Sequence, residues 1–472
     1  MKQNTTVLIV GAGPCGLASA CLLLAQGIDV RVLEAAAEPP EGARAILLWP
    51  PTLEILRTIG ILAQADELGF RSQALNYHLT GGKRIRVGLR PRNQPLMLQQ
   101  DRTAALLEQA LERLGGKVER GVRVTDVRTD DRTVEITAET AEGTQIMRGD
   151  WLIGADGVGS TVRRRLGIEF EGTPIPATFL LAEGDMQGDF DRDELHYVFG
   201  HSGALVFAPL PGGIVRIAAP ISPDTPLTEQ TVQRILDERG PGGWQMRVKG
   251  QVTSFTSQER IAAVLRRNRC FLVGDAAHTH SPVGGQGLNL GLQDVGNLIW
   301  KLTGVIDGQL TPAVLDSYDP ERRYVAAEVL RLTGALTKLA VLGPIAARVR
   351  NVVWRLLEQS GALRHWYAPR LAGWHARYPE PYPGARVPPA ALADSDFTSL
   401  RLVTTGGPND ALVAQARYLA RTSSVRVRHE HMTGGRQQFY LVRPDGFLAA
   451  SGRTVSDLPG VVEFLEKVGA QQ

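Results

Sequence analysis

Residues 7–34 read VLIVGAGPCGLASACLLLAQGIDVRVLE, and few folds can accommodate that order. Val7–Val10 is a short apolar run of strand type. Gly11, Gly13 and Gly16 follow as G-x-G-x-x-G. Leu17–Gln26 is apolar and helix-like, with Gly27 as its C-cap. A second strand, Val30–Leu33, ends in Glu34, 18 residues past Gly16. Strand, glycine turn, helix and strand with a terminal acid make up a dinucleotide site. The glycines allow a tight turn and close backbone approach, the helix N-terminus faces a pyrophosphate, and the acid takes ribose hydroxyls.

That fingerprint does not separate FAD from NAD(P). Two later runs do. Trp151–Ile168, WLIGADGVGSTVRRRLGI, is an apolar strand, then Asp156-Gly157, then a basic helix start. Residues 270–291, CFLVGDAAHTHSPVGGQGLNLG, are another apolar strand reaching Gly274-Asp275. A loop with Pro282 follows, and Gly284, Gly285 and Gly287 lead into a helix carrying Asn289. A carboxylate at a strand end can hold ribityl hydroxyls. Glycine-rich backbone before a helix can approach a flat ring and aim N–H groups at its electron-rich oxygens.

With these three signatures in this order, the chain resembles the single-component (class A) FAD-dependent aromatic hydroxylases, the group of p-hydroxybenzoate hydroxylase and phenol hydroxylase, over roughly residues 1–390. The resemblance implies an α/β fold: a Rossmann-like FAD-binding domain, an inserted antiparallel substrate domain and a thioredoxin-like C-terminal domain. It implies that Gly11, Gly13, Pro14, Gly16, Glu34 and Ala35 hold the ADP half of FAD. Gln100, Arg102 and Val124 match segments along the phosphates and ribityl chain. Asp156 and Gly157 match a motif linked to both FAD and NAD(P)H, and Gly274 and Asp275 one whose acid contacts the ribityl chain. Pro282, Gly285, Gln286, Gly287, Leu288 and Asn289 match the loop and helix start beside the isoalloxazine. Arg44 matches the family's flavin-proximal arginine, and with Pro282 is expected to act in catalysis. One departure is Pro51, where many relatives carry a basic residue.

Organisation follows from the motif spacing. The FAD-binding domain is expected at 1–71, 94–172 and 263–390, the last piece including a helical extension from Asp316 broken near Gly343-Pro344. Residues 72–93, a hairpin around Gly81-Gly82, and 173–262 form the middle, substrate-binding domain. A Pro-rich connector at 378–390 leads to the C-terminal domain at 395–472, with a turn at Pro444-Asp445-Gly446 and a last helix from Leu458 to Val468. That domain has no C-x-x-C, so no redox role is assigned to it.

Composition narrows the partners. Net charge is +3, too small to argue for nucleic acid, and the short Arg163-Arg164-Arg165 and Arg266-Arg267 runs read as phosphate-facing or solvated. Cys15, Cys21 and Cys270 fit a reducing compartment without disulfides. No apolar run is long enough to span a bilayer, and the first strand begins too early for a signal peptide. A cytoplasmic monomer or homodimer is expected, with no membrane partner. No metal is expected: His278 and His280 lack a third ligand nearby, and His278 is read as packing or hydrogen bonding near the flavin phosphates.

The resemblance implies chemistry that belongs to the cofactor. NADPH or NADH reduces the flavin, O₂ gives a C4a-hydroperoxide, and OH passes to a phenolic or polyketide-type aromatic substrate. His196, Tyr197, Phe207 and Arg216, with Phe179, Phe199 and Pro209, are the candidate substrate contacts on the middle-domain strands. The alternative is another flavin-dependent oxidation, such as Baeyer–Villiger insertion, epoxidation or dehydrogenation. A flavin halogenase should carry W-x-W, which this chain lacks. A non-enzymatic Rossmann-like binding protein should not keep the Gly274-Asp275 loop and Asn289 together.

Overall fold

The computed structural model describes residues 6–39, 45–79, 83–200, 203–282, 284–340, 342–387, 397–408 and 410–470, apart from the side chains of 173–177. The strand Thr6–Val10 lies inside a six-stranded sheet of order 266–267, 270–272, 151–154, 6–10, 29–34 and 118–120. From 270–272 to 118–120 all neighbours run parallel, as strands joined by long crossovers do. Register aligns Val10 with Gly154 and Gly154 with Leu272. Three adjacent strands therefore end level, and each feeds one of the glycine motifs.

The helix after the first strand is Pro14–Leu24, starting three residues before the expected Leu17. Pro14 causes the difference: its fixed φ suits the first helical position, where its missing N–H costs nothing. The segment PCGLASACLLL has no β-branched residue and is buried on almost every side, against helices Gln100–Arg113 and Gly287–Ile306. Pro51 likewise opens a helix, Pro50–Ile59.

The second sheet has the order 278–279, 253–262, 170–187, 215–221, 203–209, 195–200, 74–79 and 83–88, with 245–248 also on 170–187. Strands 74–79 and 83–88 are the expected antiparallel pair, and the first lies parallel to 195–200. Their turn, with Gly81-Gly82, lies outside the described residues.

Strand alternation gives this sheet two unlike faces. Val198, Leu205, Phe207 and Ile217 pack beneath the helix Glu229–Arg239 through Val232, Ile235 and Leu236. Tyr77, Tyr197, Phe199 and Ala208 face the other way, into a core shared with Leu47, Trp49, Met97, Trp354 and Leu371. That second face therefore packs on the segment around Leu47 and Trp49, which is hydrogen-bonded to Asn289 at the start of the helix after the third motif.

Helices Tyr318–Ala340 and Pro344–Gln359 confirm a break beside Gly343-Pro344. The C-terminal unit sets Leu400–Gly406 between two arms of Val427–Val442, which doubles back at Gly434 and Gly435 (φ 94° and 80°). Strand Leu448–Gly452 and helices Ala411–Thr422 and Pro459–Val468 complete it. The Pro-rich connector runs partly outside the described residues. Among the described residues, no helix is long and apolar enough to cross a membrane.

Candidate active site

The first glycine turn is built by close approach. A Cβ on Gly16 would lie 1.9 Å from the Gly11 carbonyl oxygen, and one on Gly11 (φ 105°) 2.4 Å from the Ala155 oxygen. Gly13 differs: a Cβ there would meet nothing within 4 Å. Two of the glycines close the turn, and the middle one leaves a cradle open above it. Glu34 holds that cradle, since its carboxylate accepts from Ala12 N of the turn at 2.8 Å and from Ala36 N just beyond its own strand at 2.9 Å. Two of its four lone-pair directions are left for hydroxyl donors.

At the end of the neighbouring strand, Asp156 caps a short helix. It accepts from Ser160 Oγ at 2.5 Å, Thr161 N at 2.6 Å and Val162 N at 3.1 Å. Gly157 (φ 74°) has open space where a Cβ would be. Arg163 corrects the expectation of a phosphate-facing or solvated arginine run. It is buried, donates to Val158 O at 2.7 Å and Ala276 O at 2.8 Å, and stacks 3.8 Å over the Phe170 ring. Its guanidinium clasps the second motif to the third, while Arg164 and Arg165 are exposed.

The third turn meets the first at Gly274 (φ 61°), where a Cβ would press to 2.8 Å from Cys15 Sγ. Asp275 is exposed beside it. Gly274 N donates to Asp294 Oδ2 at 3.1 Å. The same carboxylate meets His278 Nε2 at 2.6 Å and Arg322 Nε at 2.7 Å, with all three side chains buried. Burial would raise the Asp294 carboxyl, but His278 and Arg322 more than offset it and hold it below the usual carboxylate range. His278 is thus tied by a buried hydrogen bond to Asp294, a partner that sequence reasoning did not supply.

The loop after Thr279 is stitched at several points. Gly285 N donates to Pro282 O at 3.0 Å, and Gln286 Nε2 to Leu371 O at 3.0 Å. Asn289 accepts from Trp49 N at 2.6 Å and donates to Leu47 O and Gly285 O, each at 2.8 Å. Trp49 Nε1 returns a bond to Gly284 O at 3.0 Å. Gly287 opens the 20-residue helix and Leu288 packs half-buried against the main core. His280 beside Gly287 is pushed down to about 4 by burial, so it is neutral near pH 7.

Gln100 holds the segment after Arg44, exchanging bonds with Ala45 at 2.9 and 3.2 Å. Arg44 itself lies outside the described residues. Arg102 is exposed on the first turn of helix Gln100–Arg113, and the Val124 side chain is core.

The four candidate substrate contacts divide between the two faces of the second sheet. His196 stacks on Phe207 (centroids 4.2 Å apart), which abuts Trp244 at 4.4 Å beneath helix Glu229–Arg239. Those two side chains point away from the turns, because strand parity puts them on the back face; as substrate contacts they are withdrawn. Tyr197 and Arg216 are on the front. Tyr197 stacks on Tyr77 at 5.2 Å, and the Tyr77 and Tyr367 hydroxyls are 2.8 Å apart. Arg216 pairs with Glu183 through Nε at 2.7 Å.

The open Cβ directions at Gly13 and Gly157, the spare lone pairs of Glu34 and the exposed Asp275 are arrayed along the ends of four adjacent parallel strands, an arrangement that fits an extended dinucleotide. Among the described residues, no three His, Cys, Asp or Glu side chains gather as a metal site.

Comparison with known proteins agrees. Residues 4–333 match the family model described as FAD binding domain. The chain is 32% identical to a 6-methylpretetramide 4-monooxygenase of Streptomyces rimosus, over 95% of this chain and 90% of that protein. It is 33% identical to a rifampicin monooxygenase of Streptomyces venezuelae, over 76% of each. The solved anhydrotetracycline hydroxylase of Streptomyces rimosus superposes with a TM-score of 0.79 at 28% identity, covering 99% of this chain and 100% of that one. With the site and the matches in agreement, the chain belongs to the FAD binding domain family, as a flavin-dependent monooxygenase of the class A aromatic hydroxylase type.

Proposed function

We propose that the chain hydroxylates a phenolic, polyketide-type aromatic ring held between the glycine loop at 284–287 and the front face of the second sheet. The observation that carries this reading is the level ending of three adjacent parallel strands, with open cradles at Gly13 and Gly157. Ligands of open α/β sheets bind at such strand ends. Bound FAD supplies hydride acceptance from NAD(P)H and delivery of one oxygen atom of O₂ to the ring.

The chain's own residues divide the remaining work. Backbone at Gly11–Gly16 and the helix from Pro14 take the pyrophosphate, and Glu34 the ribose. Gln100, Arg102 and Asp275 lie along the phosphates and ribityl chain. Residues 287–289, in the first turn of the helix, present backbone N–H groups to the ring system. Tyr197 and Arg216 orient the substrate; Arg216, fixed by Glu183, directs its N–H groups at a phenolic oxygen. Leu47, Trp49, Tyr77 and Leu371 exclude water.

On this reading the FAD-binding domain is 1–71, 94–172 and 263–390, the substrate domain 72–93 and 173–262, and the unit at 395–472 is thioredoxin-like. A fused-ring substrate, rather than a single phenol, suits the long relatives that match nearly the whole chain.

The test is anaerobic reduction of the flavin by NADPH and by NADH, followed at its visible band, with and without a panel of phenolic polyketides and simple phenols. Marked acceleration by a polyketide supports the proposal. Acceleration by simple phenols alone, or by no compound, counts against it.

A further inference from the structure

Helix Gly287–Ile306 is buried over most of its length, yet its interior carries Asp294, Asn297 and Lys301, all fully buried. Their spacing of three and four residues places them on one stripe. A buried polar stripe on an apolar helix demands partners.

Those partners come from two sources. Arg322 and Glu321, on helix Tyr318–Ala340, take the first part: Arg322 binds Asp294, and Glu321 Oε2 accepts from Asn297 Nδ2 at 2.6 Å and Lys301 Nζ at 2.7 Å. The C-terminal unit supplies the rest. Arg443 Nη1 and Nη2 donate to both Glu321 oxygens at 2.7 and 2.8 Å, and Asn297 Nδ2 donates to Asp445 Oδ2 at 2.9 Å. Arg443 also grips Asp445 at 2.7 and 3.1 Å, so one guanidinium holds two carboxylates. The tight turn Arg443–Phe447 that presents them is wedged in place, with Phe447 stacked 3.6 Å from Tyr378.

We infer that Arg443 and Asp445 are positioning residues for the flavin site: the C-terminal unit fixes helix Gly287–Ile306 along its axis, and thereby the glycine loop and the Asn289 contacts at its start. The inference rests on the reading that this loop borders the flavin. Asp294, Glu321 and Asp445 are matched in the cluster by Lys301, Arg322 and Arg443. Removing Arg443 leaves the buried carboxylates of Glu321 and Asp445 without the guanidinium that bonds both, and such a loss is relieved by movement of the elements that carry them. The same helix carries the partner of the third motif, because Asp294 holds Gly274 N and His278. A shift of the helix therefore moves two cofactor-facing turns together.

The test uses the full chain reconstituted with FAD, in four variants: Arg443→Met, Asp445→Asn, Asn289→Ala, and Leu402→Ala as a destabilised control in the C-terminal sheet core. Melting temperature, FAD dissociation constant and flavin midpoint potential are measured for each. Arg443→Met and Asp445→Asn are expected to weaken FAD binding at least tenfold and to move the potential, while Leu402→Ala lowers only the melting temperature. If Asn289→Ala disturbs the flavin but neither Arg443→Met nor Asp445→Asn does so beyond the control, the positioning role fails. If Asn289→Ala also leaves the flavin untouched, the loop's placement at the cofactor fails, and the inference with it. Asp445→Asn keeps the test decisive should Arg443→Met not fold.

Discussion

The carboxamide oxygen of Asn289 sits 2.6 Å from the backbone nitrogen of Trp49, joining the helix after the glycine loop to a segment 240 residues earlier. The Asn289 amide nitrogen bonds Leu47 O and Gly285 O, so three backbone groups depend on one buried side chain. Asn289→Ala leaves Trp49 N–H and Leu47 C=O without these partners, at about 1–3 kcal/mol per buried group. Asn289→Asp keeps the acceptor but turns a buried carboxylate oxygen toward Leu47 O and Gly285 O, so it should be no better than alanine. FAD titration and melting curves of the two variants check that ranking; equal values for aspartate and asparagine would remove the donor role.

Asp275 is exposed at the end of the strand that supplies the third glycine turn, next to the fixed Gly274. A ribityl hydroxyl bonded to a carboxylate is worth roughly 1.5–3 kcal/mol. Asp275→Ala should therefore weaken FAD binding about tenfold to a hundredfold without lowering the melting temperature of the apoprotein. Unchanged occupancy after gel filtration would move Asp275 out of the site.

Arg216 and Phe207 lie on adjacent strands of one sheet but on opposite faces. Arg216→Met removes a cation fixed by Glu183 on the front, and is expected to raise KM for a phenolic substrate about tenfold or more, since a charge-assisted bond is lost. Phe207→Leu opens space on the back beneath Trp244, and should lower the melting temperature with KM unchanged. Steady-state kinetics of the pair test the assignment of faces, and a KM effect from Phe207→Leu would reverse it.

What could be read beforehand divides on physical lines. Gly11, Gly13, Gly16, Asp156 and Gly274 mark turns whose chemistry is local, and local chemistry is visible in a string of residues. Face parity is not local. His196 and Tyr197 are neighbours, and nothing within LHYVFG says which side meets the helix and which the cleft, because register is set by strands far away. The ion cluster was hidden for a related reason. Glu321 and Arg322 in DSYDPERR look like a solvated helix start. A sign was present in the other helix: Asp294, Asn297 and Lys301 recur at helical spacing in an otherwise apolar run, and such residues, once buried, require opposite charges from elsewhere.

Acid should destabilise the fold in a defined window. Burial pushes His78, His196 and His280 each down to about 4, and His78 Nε2 lies 3.0 Å from His196 Nδ1. In the unfolded chain these imidazoles titrate near the usual ~6.5. Between those values the unfolded chain binds the protons first, so stability is level above about pH 6.5, falls as pH drops toward about 4, and levels again below. Urea midpoints at stepped pH should give a slope of about one to three protons taken up on unfolding. The double variant His78→Asn, His196→Asn should reduce it to the share of His280; a slope untouched by that change would remove His78 and His196 from the transition.

The fingerprint glycines should separate folding from cofactor binding. A methyl at Gly16 collides with the Gly11 oxygen at 1.9 Å, and one at Gly11 meets the Ala155 oxygen at 2.4 Å in a left-handed backbone conformation (φ 105°). Either change must displace backbone between two core strands, so Gly11→Ala and Gly16→Ala are expected to lower apoprotein stability by several kcal/mol, the scale of overpacking a core. A methyl at Gly13 meets no protein atom within 4 Å, and the backbone there (φ −71°, ψ 175°) suits alanine. Gly13→Ala should leave the apoprotein melting temperature unchanged or slightly raised. It should nevertheless lose FAD, because the new methyl occupies the space left for the pyrophosphate. Apoprotein melting and FAD titration of the three variants decide the matter. Normal FAD affinity in Gly13→Ala would place the dinucleotide somewhere other than above this turn.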